Sequence, residues 1–322
     1  MAKSSGSSHK VVYAALAGNL LIALTKFGAA WWTGSSVMLS EGVHSLVDTS
    51  NQGLLLYGLY RASLPPDNDH PLGHGRELYL WSFVVAVLMF TFGAGVTLLE
   101  GARHIYQPTA ITDARINYIV LGASFVFEAT TWAIAVREFS KTKGDLGYLQ
   151  AIRASKDPPN FLVILEDSAA LLGIVIAAAA TFAAERFHLP QLDGWGSVGI
   201  AVVLTIVALI SARESKGLLL GEPARPRVRR SILAIAKSEP GVERADLVFT
   251  VHLGPDQVLV ALSVEFADSL ATTDIEKKIS EIENEIQSRH HEVIAVFVKP
   301  QTATRFRSYR DRIRAQMAAP GE

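Results

Sequence analysis

Residues 36–60, SVMLSEGVHSLVDTSNQGLLLYGLY, decide how this chain is read. The stretch is apolar and long enough to span a membrane as a helix, yet it holds His44 and Asp48 four residues apart. On a helix, residues i and i+4 share one face about one turn apart, so an imidazole and a carboxylate converge near mid-membrane. Ionisable side chains at that depth are costly and mark ion or proton pathways. A second acid pair, Glu166 and Asp167 in the apolar run 161–182, offers a partner across a helix interface. Nitrogen and oxygen ligands of this kind suit a divalent transition metal.

The apolar pattern repeats on both sides of this stretch. Residues 11–32, 37–60, 78–101, 116–136, 161–183 and 195–210 are each apolar, near the ~20 residues that cross a hydrocarbon core. Six such runs in series predict an all-α polytopic membrane domain over residues 11–220, preceded by a cytoplasmic tail, 1–10. Lys3, Lys10, Arg61, Arg76, Arg137, Lys141, Lys143, Arg153, Lys156, Arg213 and Lys216 fall on one side of the bilayer in this arrangement, against Arg103, Arg115 and Arg186 on the other. By the positive-inside rule both termini face the cytoplasm. Lys26 lies inside the first span, where its long stem is expected to snorkel or to pack on a neighbouring helix. The segment MAKSSGSSHK lacks the apolar core of a cleavable signal, so the first span itself is expected to direct insertion.

The formal net charge is −1, which leaves no basic face for nucleic acid. Without cysteine, disulfides and thiolate metal sites are excluded, and a metal must be held by His, Asp, Glu or Asn. No HExxH helix is present, so a metallohydrolase is disfavoured and a non-enzymatic role is expected.

Beyond Leu220 the composition becomes that of a soluble domain. Val228, Ile232 and Ile235 stand at helical spacing in residues 226–237, and Glu239-Pro240-Gly241 stops that helix. Two strands, 245–253 and 258–266, flank the turn Gly254-Pro255-Asp256. Thr273 with Glu276 reads as a capping box opening a helix striped by Ile275, Ile279, Ile282 and Ile286. A last strand, 293–298, ends at Pro300. The order αββαβ over residues 221–300 predicts a small ferredoxin-like α+β domain. The basic tail, 301–322, is expected to be a solvated, partly ordered helix over 304–317.

The run TGSSVMLSEGVHSLVDTSNQ, the loop DNDHPLGHGRE, six spans and an αββαβ tail together resemble the cation diffusion facilitator family of divalent-metal/proton antiporters. The fifth-span sequence LEDSAALLG resembles the branch that includes the mitochondrial zinc transporter of animals and its bacterial relatives. The resemblance implies a transport site with two ligands from the second span and two from the fifth. His44, Asp48 and Asp167 match it, whereas Val163 stands where family members carry His or Asp. Water, Asn51 or Glu128 in the fourth span is left to complete the shell, and three protein ligands plus water is an ordinary exchangeable zinc shell. Asp67, His70 and His74 correspond to the family's cytoplasmic zinc site, with Arg76 and Glu222 as an expected salt bridge. A homodimer held through the cytoplasmic domains is implied.

Three further groups were weighed. Glu128, amid Phe125, Val126, Phe127 and Trp132, reads either as a structural acid bonded to a neighbouring helix or as a ligand or proton carrier. Glu166 lies about 100° around the helix from Asp167, so it is expected to face another helix or Lys26 rather than the same ion. His290, His291 and Glu292 sit at a helix end, where a histidine favours the helix dipole. The matching strands read RADLVF, VALSVEF and VIAVFVK and hold no ligand set.

The expected function is export of Zn2+ in exchange for protons by an integral protein of a bacterial inner membrane. Metal requires neutral His44 and ionised Asp48 and Asp167, so protons and metal compete for the same atoms. Fe2+ and Co2+ fit the ligands as zinc does, and Mn2+ is disfavoured by its taste for an all-oxygen shell. The competing expectation is a metal-binding regulator or scaffold that has lost transport.

Overall fold

A computed structural model describes residues 5–144 and 146–302 together with 304, 305 and 308. Of the expected basic helix over 304–317, the remaining residues lie outside those described, as do residues 1–4 of the expected N-terminal tail. The chain divides into two compact units, one of residues 1–64 and 77–216, the other of residues 65–76 and 217–322.

The first unit is helical throughout. Its elements are α1 (Ser5–Thr33), α2 (Ser36–Ala62), α3 (Glu77–Leu88), α4 (Val96–Tyr106), α5 (Ala114–Thr142), a short α6 (Tyr148–Ala154), α7 (Pro158–Phe187) and most of α8 (Gln191–Leu220). A π-helical turn, Met89–Gly95, joins α3 to α4 without a break, so residues 77–106 form one rod. Each of the six apolar stretches lies in one of these rods. Among the described residues, four helices are long and apolar enough to cross a membrane: Glu77–Tyr106, Ala114–Lys141, Pro158–Phe187 and Gln191–Leu220. Helix α1 begins at Ser5, so residues expected as tail already belong to the helix.

Helix α2 shows why a polar sequence can sit in such a unit. Its buried positions Val37, Glu41, His44, Asp48, Asn51, Leu55 and Gly58 alternate at steps of three and four, forming one stripe that turns Glu41, His44 and Asp48 inward. The helix packs against α1 and α7, and α5 packs against both of those, so α1, α2, α5 and α7 surround the stripe. The N-terminus of α2 is held from α8, where Asp193 accepts from Ser35 Oγ at 3.0 Å and from the amides of Ser36 and Val37. A carboxylate there satisfies helix-start amides that nothing in α2 can reach. Trp31, Trp32, Tyr106 and Trp195 stand exposed around this same end, as amphipathic rings do at a membrane interface.

The second unit carries α9 (Pro226–Ser238), β1 (Val242–Gly254), β2 (Gln257–Phe266), α10 (Thr272–Arg289) and β3 (Val293–Gln301). The sheet order is β1-β2-β3, with β1 antiparallel and β3 parallel to β2. Ile232, Ile235, Ile282 and Ile286 bury one side of the two helices against Val258, Val260, Leu262 and Val264. Pro300 is tolerated inside β3 because that strand is an edge. The expected capping box is corrected: Ala271 is the cap residue of α10 and Thr273 lies inside the helix, with no side chain capping the start. The chain enters through Ala271 in an extended conformation, two residues too early for Thr273 to serve as the cap.

Candidate metal sites

Along α2, each buried polar group is held by a neighbouring helix. Lys26 of α1 is fully buried, and its Nζ donates to Glu41 Oε2 and to Ser45 Oγ, both at 2.8 Å. The lysine therefore neither snorkels nor meets Glu166; its partner is Glu41, which the sequence reading left unassigned. A signal was available, since Glu41 and Ser45 lie on the stripe one turn apart and only a cation from another span can neutralise the first. Glu41 also leans on α7: a Cβ added at Gly173 would collide with Glu41 Oε1, so glycine makes room for the carboxylate.

One turn further lie His44 and Asp48, 3% and 7% exposed. Among the described residues, His44 Nε2 and Asp48 Oδ1 have no hydrogen-bond partner. Asp48 Oδ2 accepts from Gln52 Nε2 at 3.4 Å, and Gln52 Oε1 in turn accepts from Asn19 Nδ2 at 2.9 Å. Asn51 Nδ2 donates to Glu166 Oε1 at 2.9 Å, and the Glu166 and Asp48 carboxyls are neighbours. Glu166 thus does face another helix, but that helix is α2, which carries His44 and Asp48. Asp167, about 100° round α7 from Glu166, is also near enough to Asp48 to act on it electrostatically.

Asp167 is 4% exposed with Oδ2 unpartnered among the described residues, and Val163 lies one turn before it, half-buried. Glu128 of α5 is buried, and Asp48, Glu128 and Asp167 act on one another electrostatically. His44, Asp48 and Asp167 do not form a tight trio. Among the described residues, the only group of three or more His, Asp or Glu side chains whose ligand atoms lie within 4.8 Å of one another is Asp67, His70 and His74.

That trio belongs to the second unit. Asp67 Oδ1 accepts from the amides of Asp69 at 2.9 Å and His70 at 2.6 Å, and lies 3.2 Å from His70 Nδ1. Asp67 Oδ2 lies 3.0 Å from His74 Nε2. The His70 amide, with help from the His74 ring, holds the Asp67 carboxyl down at about 2, so it is an anionic ligand at any working pH. The two rings tilt together with centroids 4.2 Å apart. Gly75 is seated so closely on Leu253 and Gln257 that a Cβ would strike both, which fixes His74 beside the β1–β2 turn. Two imidazole nitrogens and one carboxylate converging with a side open fit a divalent transition metal.

Arg76 and Glu222 both flank the turn at Gly221: a Cβ on Gly221 would stand 3.6 Å from Arg76 Nη2, and one on Gly217 would meet Glu222 Oε1. His290 Nε2 bonds Ser231 Oγ at 2.9 Å, tying α10 to α9, and its Nδ1 lies 3.6 Å from Glu292 Oε1, while His291 is exposed, so two of the triplet meet and the third stands apart.

Residues 12–220 match the family model of the cation efflux transmembrane domain. The chain belongs to the cation diffusion facilitator family. It is 32% identical over 266 residues to the human mitochondrial proton-coupled zinc antiporter SLC30A9, covering 82% of this chain and 47% of that protein. It is 29% identical over 274 residues to a metal tolerance protein of Arabidopsis thaliana, covering 84% and 60%. To the cation-efflux pump FieF of Escherichia coli it is 27% identical over 281 residues, covering 87% and 88%. The chain spans about half the length of the mitochondrial relatives. The family is one of cation efflux transporters and not of enzymes.

Proposed function

We propose that this chain exports Zn2+ from the cytoplasm in exchange for protons, through a site built on His44 and Asp48 of α2 and Asp167 of α7. The observation that carries this reading is a set of buried ligand atoms with no partner among the described residues: His44 Nε2, Asp48 Oδ1 and Asp167 Oδ2. Buried polar atoms are normally satisfied, and three bare ones on two packed helices await either a cation or protons. Metal needs these groups deprotonated, so loading one species discharges the other. The name of the human relative, a proton-coupled zinc antiporter, supports the same pairing of ions.

On this reading α1, α2, α3 with α4, α5, α7 and α8 are six spans, both termini lie in the cytoplasm, and the membrane is a bacterial inner membrane. The four helices around the stripe rock about the site to expose it to either side. The second unit, read as a ferredoxin-like domain, pairs two copies into a homodimer. Asp67, His70 and His74 bind a regulatory zinc, and Arg76 with Glu222 links that loop to the end of α8. Co2+ and Fe2+ are the metals that compete best on ligand chemistry.

Zinc uptake into proteoliposomes with an imposed pH gradient tests the proposal. Uptake that rises with the gradient and vanishes in Asp48→Ala is expected. Binding without flux in the unaltered chain would instead support the regulator reading, which Val163 motivates.

A further inference from the structure

We infer that Glu166 supplies the protein ligand that Val163 cannot, so that the metal transported by the proposed site is held by His44, Asp48, Glu166 and Asp167. The inference rests on the transport-site reading above and extends its ligand set.

Val163, Glu166 and Asp167 stand at i, i+3 and i+4 on α7, the spacing that places three side chains on one helix face. Side chains on a helix tilt toward its N-terminus and cover the turn before their own Cα. A glutamate at 166, one methylene longer than aspartate, therefore reaches back toward the level of Val163. The carboxyl of Glu166 does stand at α2: it neighbours the Asp48 carboxyl and accepts from Asn51. Glu166 is 1% exposed, and its Oε2 has no hydrogen-bond partner among the described residues. His44 Nε2 and Asp167 Oδ2 are left bare in the same way. Glu41 also leaves one oxygen bare, but its charge is met by Lys26 at 2.8 Å, whereas Glu166 stands beside a second acid with no such cation among the described residues.

The amides nearby fit the same role. Asn51 and Gln52 each donate one N–H, the first to Glu166 Oε1 and the second to Asp48 Oδ2. Each carboxylate is thereby oriented through one oxygen, and the other meets no N–H or O–H donor among the described residues. Such orienting bonds are the usual outer support of a metal ligand. Glu128, the other acid considered for the gap, receives no donor of this kind among the described side-chain hydrogen bonds.

A shell of one imidazole and three carboxylates is richer in oxygen than the family pattern of two spans with His or Asp, and it relaxes discrimination against harder ions. In the described conformation the four groups are not drawn to one point. Metal binding would have to bring His44 and Asp167 onto the Asp48–Glu166 pair.

The test is metal binding to the purified full chain in detergent, with Asp67, His70 and His74 replaced by alanine so that only the membrane site reports. Zn2+ affinity is read by calorimetry, and Co2+ is read by its visible ligand-field spectrum. Changes in residues that merely orient a ligand cost about 10–100-fold in affinity. Glu166→Gln is therefore expected to weaken Zn2+ by roughly 100-fold or more and to alter the Co2+ spectrum. Val163→His in the Glu166→Gln background is expected to recover binding with a spectrum showing added nitrogen. Glu166→Asp, which keeps the charge, serves should the glutamine variant fail to fold; a smaller loss with a shifted spectrum is expected. Unchanged affinity and spectrum in Glu166→Gln, while Asp48→Ala loses binding, would overturn the assignment and leave the transport site standing. If Asp48→Ala also binds normally, the transport-site reading itself falls and the assignment with it.

Discussion

Replacing Lys26 by methionine removes the cation that pairs with Glu41 and leaves a carboxylate buried against α1 and α7. The pair is fully buried on both sides with a 2.8 Å separation, so solvent screening does not discount it. At an effective dielectric of about 20, two unit charges at that distance attract by about 6 kcal/mol. Much of this is offset by the cost of taking both ions out of water, yet breaking a buried pair still costs about 3–5 kcal/mol. Lys26→Met should therefore destabilise the folded unit by about 3–5 kcal/mol, and Glu41→Leu by a similar amount, since it strands the ammonium. The double variant Lys26→Met/Glu41→Leu removes both charges and should return to within about 2 kcal/mol of the unaltered chain. Reversible unfolding in mixed micelles, analysed as a double-mutant cycle, reads the coupling directly. A single variant within about 1 kcal/mol of the unaltered chain, or a double as unstable as the sum of the singles, would refute the reasoning.

Asp48→Ala and Asp167→Ala should each abolish zinc flux in proteoliposomes while the protein still inserts and elutes as one species; near-normal flux in Asp167→Ala removes α7 from the site. His70→Ala should weaken metal at the loop yet leave proton-coupled flux measurable, and complete loss of flux with an intact fold would put the loop on the translocation path. The Asp67 carboxyl is held at about 2 in the fold against about 3.9 in an unfolded chain. Its contribution to the loop is fully present above about pH 4 and lost as pH falls through about 2. Carboxyl carbon shifts of labelled Asp67 should titrate there, and a midpoint near 4 would contradict the turn described. Glu128→Gln should change the proton dependence of zinc flux across pH; if neither affinity nor proton dependence moves, Glu128 is a structural acid.

The helices were legible because long apolar runs admit few alternatives, and the small sheet because Pro255-Asp256 and Pro240-Gly241 punctuate it. The capping box at Thr273 misled, because the entry path of the chain, not the local motif, selects the cap residue. Lys26 was visible as an anomaly, but its pairing to Glu41 depends on how α1 lies against α2, which one-dimensional spacing does not contain. For Glu166, the angle from Asp167 pointed to another helix, and which helix it meets, α2 through Asn51, depends on packing that the sequence does not contain.

Charge balance ties these observations together. The helices around the α2 stripe bury Lys26, Glu41, Asp48, Glu128, Glu166 and Asp167. Lys26 and Glu41 cancel at contact distance, which leaves four acids and no fixed cation for them among those buried residues. Four ionised carboxylates cannot persist in a medium of low dielectric without counter-charge. In the proposed transport site the counter-charge is a divalent ion or protons, and the two exclude one another at the same oxygens. The locked pair fixes α1 to α2, and the unbalanced acids beside it are what a metal or protons must settle. On the proposed reading this placement of charge is what exchanges one for the other, with His44 supplying the nitrogen that favours a transition metal over the harder ions.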